Sequence, residues 1–97
     1  MPEVGKVSEI ADGQMKTAEV EGETLAIANV GGSFYAFEDA CPHIGCSLAS
    51  GLLEGNVVEC PCHGSKFDVT TGAVLQGPAR RPIKAHKVTV NGDTLTI

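Results

Sequence analysis

An all-β fold is predicted by three observations: helical periodicity is nearly absent, short β-prone runs recur, and glycine dipeptides separate them. In chain order the first runs are residues 4–10, 16–20, 24–30 and 34–37. Asp12-Gly13, Glu21-Gly22 and Gly31-Gly32 lie between them, the punctuation of antiparallel hairpins. Residues 73–75 form a later run. Residues 86–90 follow, joined through Asn91-Gly92 to residues 94–97. Asn-Gly between two alternating strands predicts a type I′ turn, because both central residues then need positive φ. The expected architecture is a small antiparallel sandwich or barrel, with residues 1–97 as one domain and no low-complexity linker.

A chain of 97 residues with 4% aromatics and no Trp builds a modest core from Val, Leu, Ile and Ala. At this size folding buries only about 60–65% of the unfolded surface, so a cross-link or metal adds usefully to stability. The longest apolar runs, such as LAIA and FYAF, are four residues, whereas a membrane helix needs about 20. The opening MPEVGKVSEI has no apolar export core, and a cytoplasmic protein is expected. A net charge of −5 argues against nucleic acid and anionic membranes as partners. Its distribution is uneven. Residues 1–59 carry ten acidic side chains against Lys6 and Lys16; residues 60–97 carry five cations against Asp68 and Asp93. Scattered charge is ordinarily a solvated surface, and a sharper reading is steering of a protein partner.

All four cysteines and two of the three histidines fall in two short stretches, CPHIGCS at residues 41–47 and ECPCHGSKFD at residues 59–68. The third histidine, His86, stands among lysines without partner spacing and is expected on the surface. In a cytosolic chain such cysteines point to metal or redox chemistry before a disulfide framework. Cys41 and His43 in one loop, and Cys60 and His63 in the other, can converge from two sides, with Gly45 and Gly64 permitting tight turns. Two thiolates and two imidazoles suit either a tetrahedral zinc ion or an iron–sulfur centre. Zinc sites favour pairs of like ligands within one loop. Here each loop offers one sulfur and one nitrogen, the division a binuclear cluster needs, with zinc as the alternative.

The pattern C-x-H, 16 residues, then C-x-x-H resembles the signature of the Rieske iron–sulfur family. The resemblance extends to Gly45, Leu48, the glycines at 51 and 55, the run Gly64-Ser65-x-Phe67-Asp68, Thr71-Gly72 and the GPARRP segment. It implies a small cluster-binding subdomain of two loops at roughly residues 39–80, within an antiparallel sandwich or barrel. It implies one [2Fe-2S] cluster per chain, with Cys41 and Cys60 on the buried iron and His43 and His63 on the outer iron. Ser65 is implied as a hydrogen-bond donor to the cluster. Cys46 and Cys62 occupy the positions at which Rieske proteins of cytochrome bc complexes carry a disulfide, a departure from the soluble ferredoxin pattern. The other reading of that pair is two reduced thiols filling apolar gaps. Phe67 stands where the high-potential type has a tyrosine that donates to a ligand sulfur.

A cluster saturated with protein ligands leaves no position for substrate, which favours electron transfer over catalysis. No glycine-rich dinucleotide loop and no two-histidine carboxylate triad accompanies it. The function implied is a monomeric one-electron carrier rather than an enzyme, serving between a flavoprotein reductase and a terminal oxidoreductase such as a ring-hydroxylating oxygenase. A small subunit of a larger enzyme, of the nitrite reductase kind, and a structural zinc-binding module are the alternatives.

Overall fold

The computed structural model describes residues 3–42, 45–62 and 64–97. Its strands are β1 (Glu3–Lys6), β2 (Met15–Val20), β3 (Glu23–Val30), β4 (Ser33–Glu38), β5 (Leu52–Glu54), β6 (Val57–Glu59), β7 (Lys66–Asp68), β8 (Val74–Gln76), β9 (Ala85–Lys87), β10 (Thr89–Asn91) and β11 (Thr94–Thr96). They form three antiparallel sheets, ordered β1-β11-β10, β2-β3-β4-β9 and β5-β6-β7-β8. The third sheet lies wholly within the stretch between β4 and β9.

The central hairpin β3–β4 divides the protein into two cores. Side chains alternate across a strand, and β3 buries five residues in succession, Leu25 to Asn29. Leu25 and Ile27, with Phe34 and Ala36 of β4, pack against Val4 and Leu95 of the β1-β11-β10 sheet. Ala26 and Ala28, with Phe37, face the other way and pack against Leu48, Val58, Phe67, Cys41 and Cys60. The same β-prone run therefore serves both faces, as a strand covered on two sides must. Small alanines on the second face let the cysteine loops approach closely.

The turns follow from backbone sterics. In the β2–β3 hairpin Val20 pairs with Glu23, leaving Glu21 and Gly22 in the turn with φ of 52° and 81°. Between β3 and β4, Gly31 and Gly32 have φ of 60° and 92°. Both are I′ patterns. At the last hairpin Asn91 pairs with Thr94, so the turn residues are Gly92 and Asp93, and only Gly92 has positive φ. That is the II′ pattern, and it replaces the expected Asn-Gly I′ turn.

Four further details differ from expectation. Residues 7–9 form a 3-10 turn after β1, in place of a strand reaching residue 10. Residues 86–90 split at Val88: β9 joins β4 while β10 joins β11. The anticipated subdomain of two loops carries a four-stranded sheet of its own. His86, expected on the surface, is half-buried in β9 opposite Ala36, with Nε2 enclosed and without a hydrogen-bond partner among the described residues. No helix of the described residues is long and apolar enough to cross a membrane.

Candidate metal centre

Two loops with matching hydrogen-bond frames form the centre. In the first, the Cys41 N–H donates to the Cys46 carbonyl at 2.9 Å and the Gly45 N–H to the Cys41 carbonyl at 2.7 Å. In the second, the Cys60 N–H donates to the Ser65 carbonyl at 2.8 Å and the Gly64 N–H to the Cys60 carbonyl at 3.1 Å. Gly45 and Gly64 share a φ of 78°, a left-handed conformation that a side chain would strain. Antiparallel pairing closes each loop at its base, Ala40 with Ser47 and Glu59 with Lys66. The frames match at Gly45 and Gly64 as well. They equate Cys41 with Cys60, Pro42 with Pro61 and Cys46 with Ser65.

Cys41 and Cys60 lie outside any disulfide and are each 2% exposed. Cys46 and Cys62 are joined in a disulfide that ties the first loop to the second, with Cα atoms 6.5 Å apart. The sulfurs of Cys46, Cys60 and Cys62 all lie within 4.8 Å of one another. Two of these three are bonded to each other, so the trio offers a metal only the Cys60 thiol. His43 and His63 lie outside the described residues.

Ser65 is fully buried, and its Oγ accepts the Ala79 N–H at 3.0 Å. That bond uses a lone pair and leaves the hydroxyl proton to donate. Ala79 belongs to the GPARRP segment, which is fastened at two further points. Gln76 Nε2 donates to the Gly64 carbonyl at 3.1 Å, and the Ile83 N–H donates to the Gly72 carbonyl at 3.0 Å. The Gly77–Pro78 peptide within it is cis.

Further supporting residues complete the frame. Asp39, 6% exposed, accepts the Ala49 N–H on its carboxylate at 2.9 Å and the Leu48 N–H on its carbonyl at 2.8 Å, closing the first loop from below. A Cβ on Gly51 would collide with the Glu59 carbonyl and stand 3.1 Å from Pro61 Cδ, so the loops touch there. A Cβ on Gly72 would collide with the Ile83 carbonyl. Asp68 is held ionised below the usual carboxylate range by the Thr70 hydroxyl, 2.6 Å from Oδ1, and the Thr70 N–H at 2.8 Å, against a smaller opposing effect of burial. Asp39 was not foreseen from sequence, because its partner is ten residues away and no local pattern marks it.

The donor set fits an iron–sulfur group. Two buried thiols stand at equivalent points of twinned loops, beside a buried hydroxyl with a proton to give, and soft thiolate suits iron–sulfur clusters.

Comparison with known proteins follows the same line. The family described as Rieske [2Fe-2S] domain matches residues 1–87. The chain is 38% identical over 89 residues to the ferredoxin component of the naphthalene 1,2-dioxygenase system of Pseudomonas aeruginosa, covering 92% of this chain and 86% of that one. It is 36% identical over 94 residues to the cytochrome b6-f complex iron–sulfur subunit of Chlorobaculum thiosulfatiphilum. That match takes in 97% of this chain but only 51% of the subunit, so the chain spans about half the length of this relative. Among solved structures, a complex of reduced oxygenase and oxidized ferredoxin in carbazole 1,9a-dioxygenase contains a chain similar at a TM-score of 0.90 and 35% identity, covering 97% of this chain and 89% of that one.

Proposed function

The chain belongs to the Rieske [2Fe-2S] domain family, and from that premise we propose that it is a one-electron carrier of the ferredoxin type rather than an enzyme. Cys41 and Cys60 would hold one iron of the cluster, and His43 and His63 the other. The observation that carries the reading is the pair of matched loop frames, each delivering one buried thiol outside the disulfide. When bound, the cluster accepts and releases one electron. The protein's part is to exclude water and to oppose the added negative charge with donors, of which the Ser65 hydroxyl is one. The disulfide and the core around Leu48, Val58 and Phe67 hold the loops in register.

The same proposal makes residues 1–97 one domain, with roughly 39–80 as its cluster-holding part, acting as a cytoplasmic monomer. Its partners would be a flavoprotein reductase and a terminal oxygenase. The dioxygenase ferredoxin relative and the similar chain in the oxygenase complex support that assignment of partners.

Metal and sulfide analysis of purified protein, followed by redox titration of its visible spectrum, tests the reading. Two irons and two sulfides per chain are expected. His43→Ala and His63→Ala should each abolish stable cluster assembly, while the Cys46→Ala/Cys62→Ala double variant keeps it. A colourless zinc protein would overturn the reading.

A further inference from the structure

We infer that Arg80 and Arg81 form a docking rim for a partner that presents a carboxylate-rich surface to the cluster end of the protein; this rests on the electron-carrier reading. Both arginines are exposed. With Pro42, Pro78 and Ala79 they line an open depression of about 440 Å³. Pro42 belongs to the first loop, next to Cys41. Ala79, 4% exposed, is bonded through its N–H to Ser65 in the second loop. The backbone carrying the arginines is thereby pinned beside both cysteine loops at once.

Charge supports the assignment. The chain has a net charge of −5, yet its ten acids before residue 60 are opposed only by Lys6 and Lys16, while five cations follow. Neither arginine has an ion-pair partner among the described residues. Glu59, the acid at the base of the second loop, faces Lys66 across the β6–β7 ladder. Two carboxylates lie near the same end, Glu38 accepting the Lys84 N–H and Glu59 beside Gly64, while six of the ten acids precede residue 38 in the chain. At ordinary ionic strength a charge beyond about 10 Å is largely screened. A partner approaching the loops meets the arginines at contact, and more distant acids only through screening. A guanidinium also presents a fork of donors matched to a carboxylate. The rim would admit an acidic partner in one orientation, with the cluster loops foremost, and would turn away a basic one.

Small redox probes of opposite charge read this local field directly. The holoprotein is reduced, freed of reductant and mixed in a stopped-flow device with hexacyanoferrate(III), an anion, or with tris(phenanthroline)cobalt(III), a cation. In each case one electron leaves the protein and reduces the probe's metal by one unit. Salt is raised from about 0.1 M, where the Debye length is about 10 Å, to about 1 M, where it is about 3 Å. Net charge alone predicts that oxidation by the anion accelerates with salt. The rim predicts the reverse, a severalfold slowing with the anion and little slowing with the cation. The Arg80→Gln/Arg81→Gln variant should then accelerate with salt, and Arg80→Lys/Arg81→Lys should keep the wild-type slope. Equal reduction potentials across the variants would exclude a change in driving force. An anion rate that rises with salt in the wild type, or slopes that ignore the arginines, would overturn the rim while leaving the carrier reading intact. A protein with no reversible one-electron step would overturn both.

Discussion

Ser65 shows how one buried hydroxyl can act in two directions. Its oxygen holds the Ala79 N–H, and its proton is left to donate. A donor beside the cluster favours the more negative, reduced state, so its removal should lower the reduction potential. Ser65→Ala is expected to do this, and also to cost about 1–3 kcal/mol by leaving the Ala79 N–H buried and unpaired. Phe67 is fully buried in the same core as Cys41 and Cys60. Phe67→Tyr should raise the potential by adding a donor. Redox titration of the two variants checks both signs, and a tyrosine variant with a lowered potential would contradict the account. Asp68 gives a separate test in pH. The Thr70 hydroxyl and N–H depress its pKa in the folded state. Its contribution is therefore present above the unfolded value of about 3.9 and fades as pH falls through the folded value. Asp68→Asn should be less stable than wild type at neutral pH. Denaturant titrations should show that gap closing below about pH 4.

Single backbone positions decide how the elements meet. Gly72 combines a φ of 84° with a Cβ direction aimed at the Ile83 carbonyl. Gly72→Ala should cost at least about 1–3 kcal/mol from left-handed strain alone. The collision adds to this by loosening the Ile83 contact that fastens residues 77–83. Faster cluster loss, followed by visible absorbance during mild denaturation, is the accompanying sign. The Cys46–Cys62 disulfide spans 16 residues of sequence. Cross-linking a loop of that length contributes about 3 kcal/mol in the chain-entropy account. Denatured protein should show two reactive thiols without reductant and four with it, and the Cys46→Ala/Cys62→Ala variant should unfold at lower denaturant. Four thiols in both conditions would remove the bridge from the account.

The whole molecule is two cores sharing one wall, and they should respond differently to loss of the cluster. The core of Val4, Ile10, Leu25, Ile27, Phe34, Ala36 and Leu95 contains no cysteine. The other contains Cys41 and Cys60. A group that binds only the native state stabilises whatever it holds together. Removing iron with a chelator should therefore release hydrogen-exchange protection in the loops and in β5–β8, while the β1-β11-β10 sheet and the facing side of β3 stay protected. Uniform loss of protection across the chain would mean that the cores are one cooperative unit.

By itself the sequence determined the β class, the hairpins at Glu21-Gly22 and Gly31-Gly32, and the pair of cysteine loops. Each depends on neighbours within a few residues: turn dipeptides need positive φ where they stand, and metal donors need short spacing within a loop. The pairing of Cys46 with Cys62 came through the family resemblance, and the structure contains that bond. Only the tertiary structure decided the rest. Strands β5, β6 and β7 are three residues each, too short to show a period, and they exist because Val58 and Phe67 have a core to enter. The run 86–90 is one β-prone stretch locally, and it divides because two sheets compete for it. Asp39, Gly51 and Gly72 act on Ala49, Glu59 and Ile83, partners set by how the chain returns on itself. Such contacts leave no local pattern, because side-chain chemistry is written along the chain while close approach is settled across it.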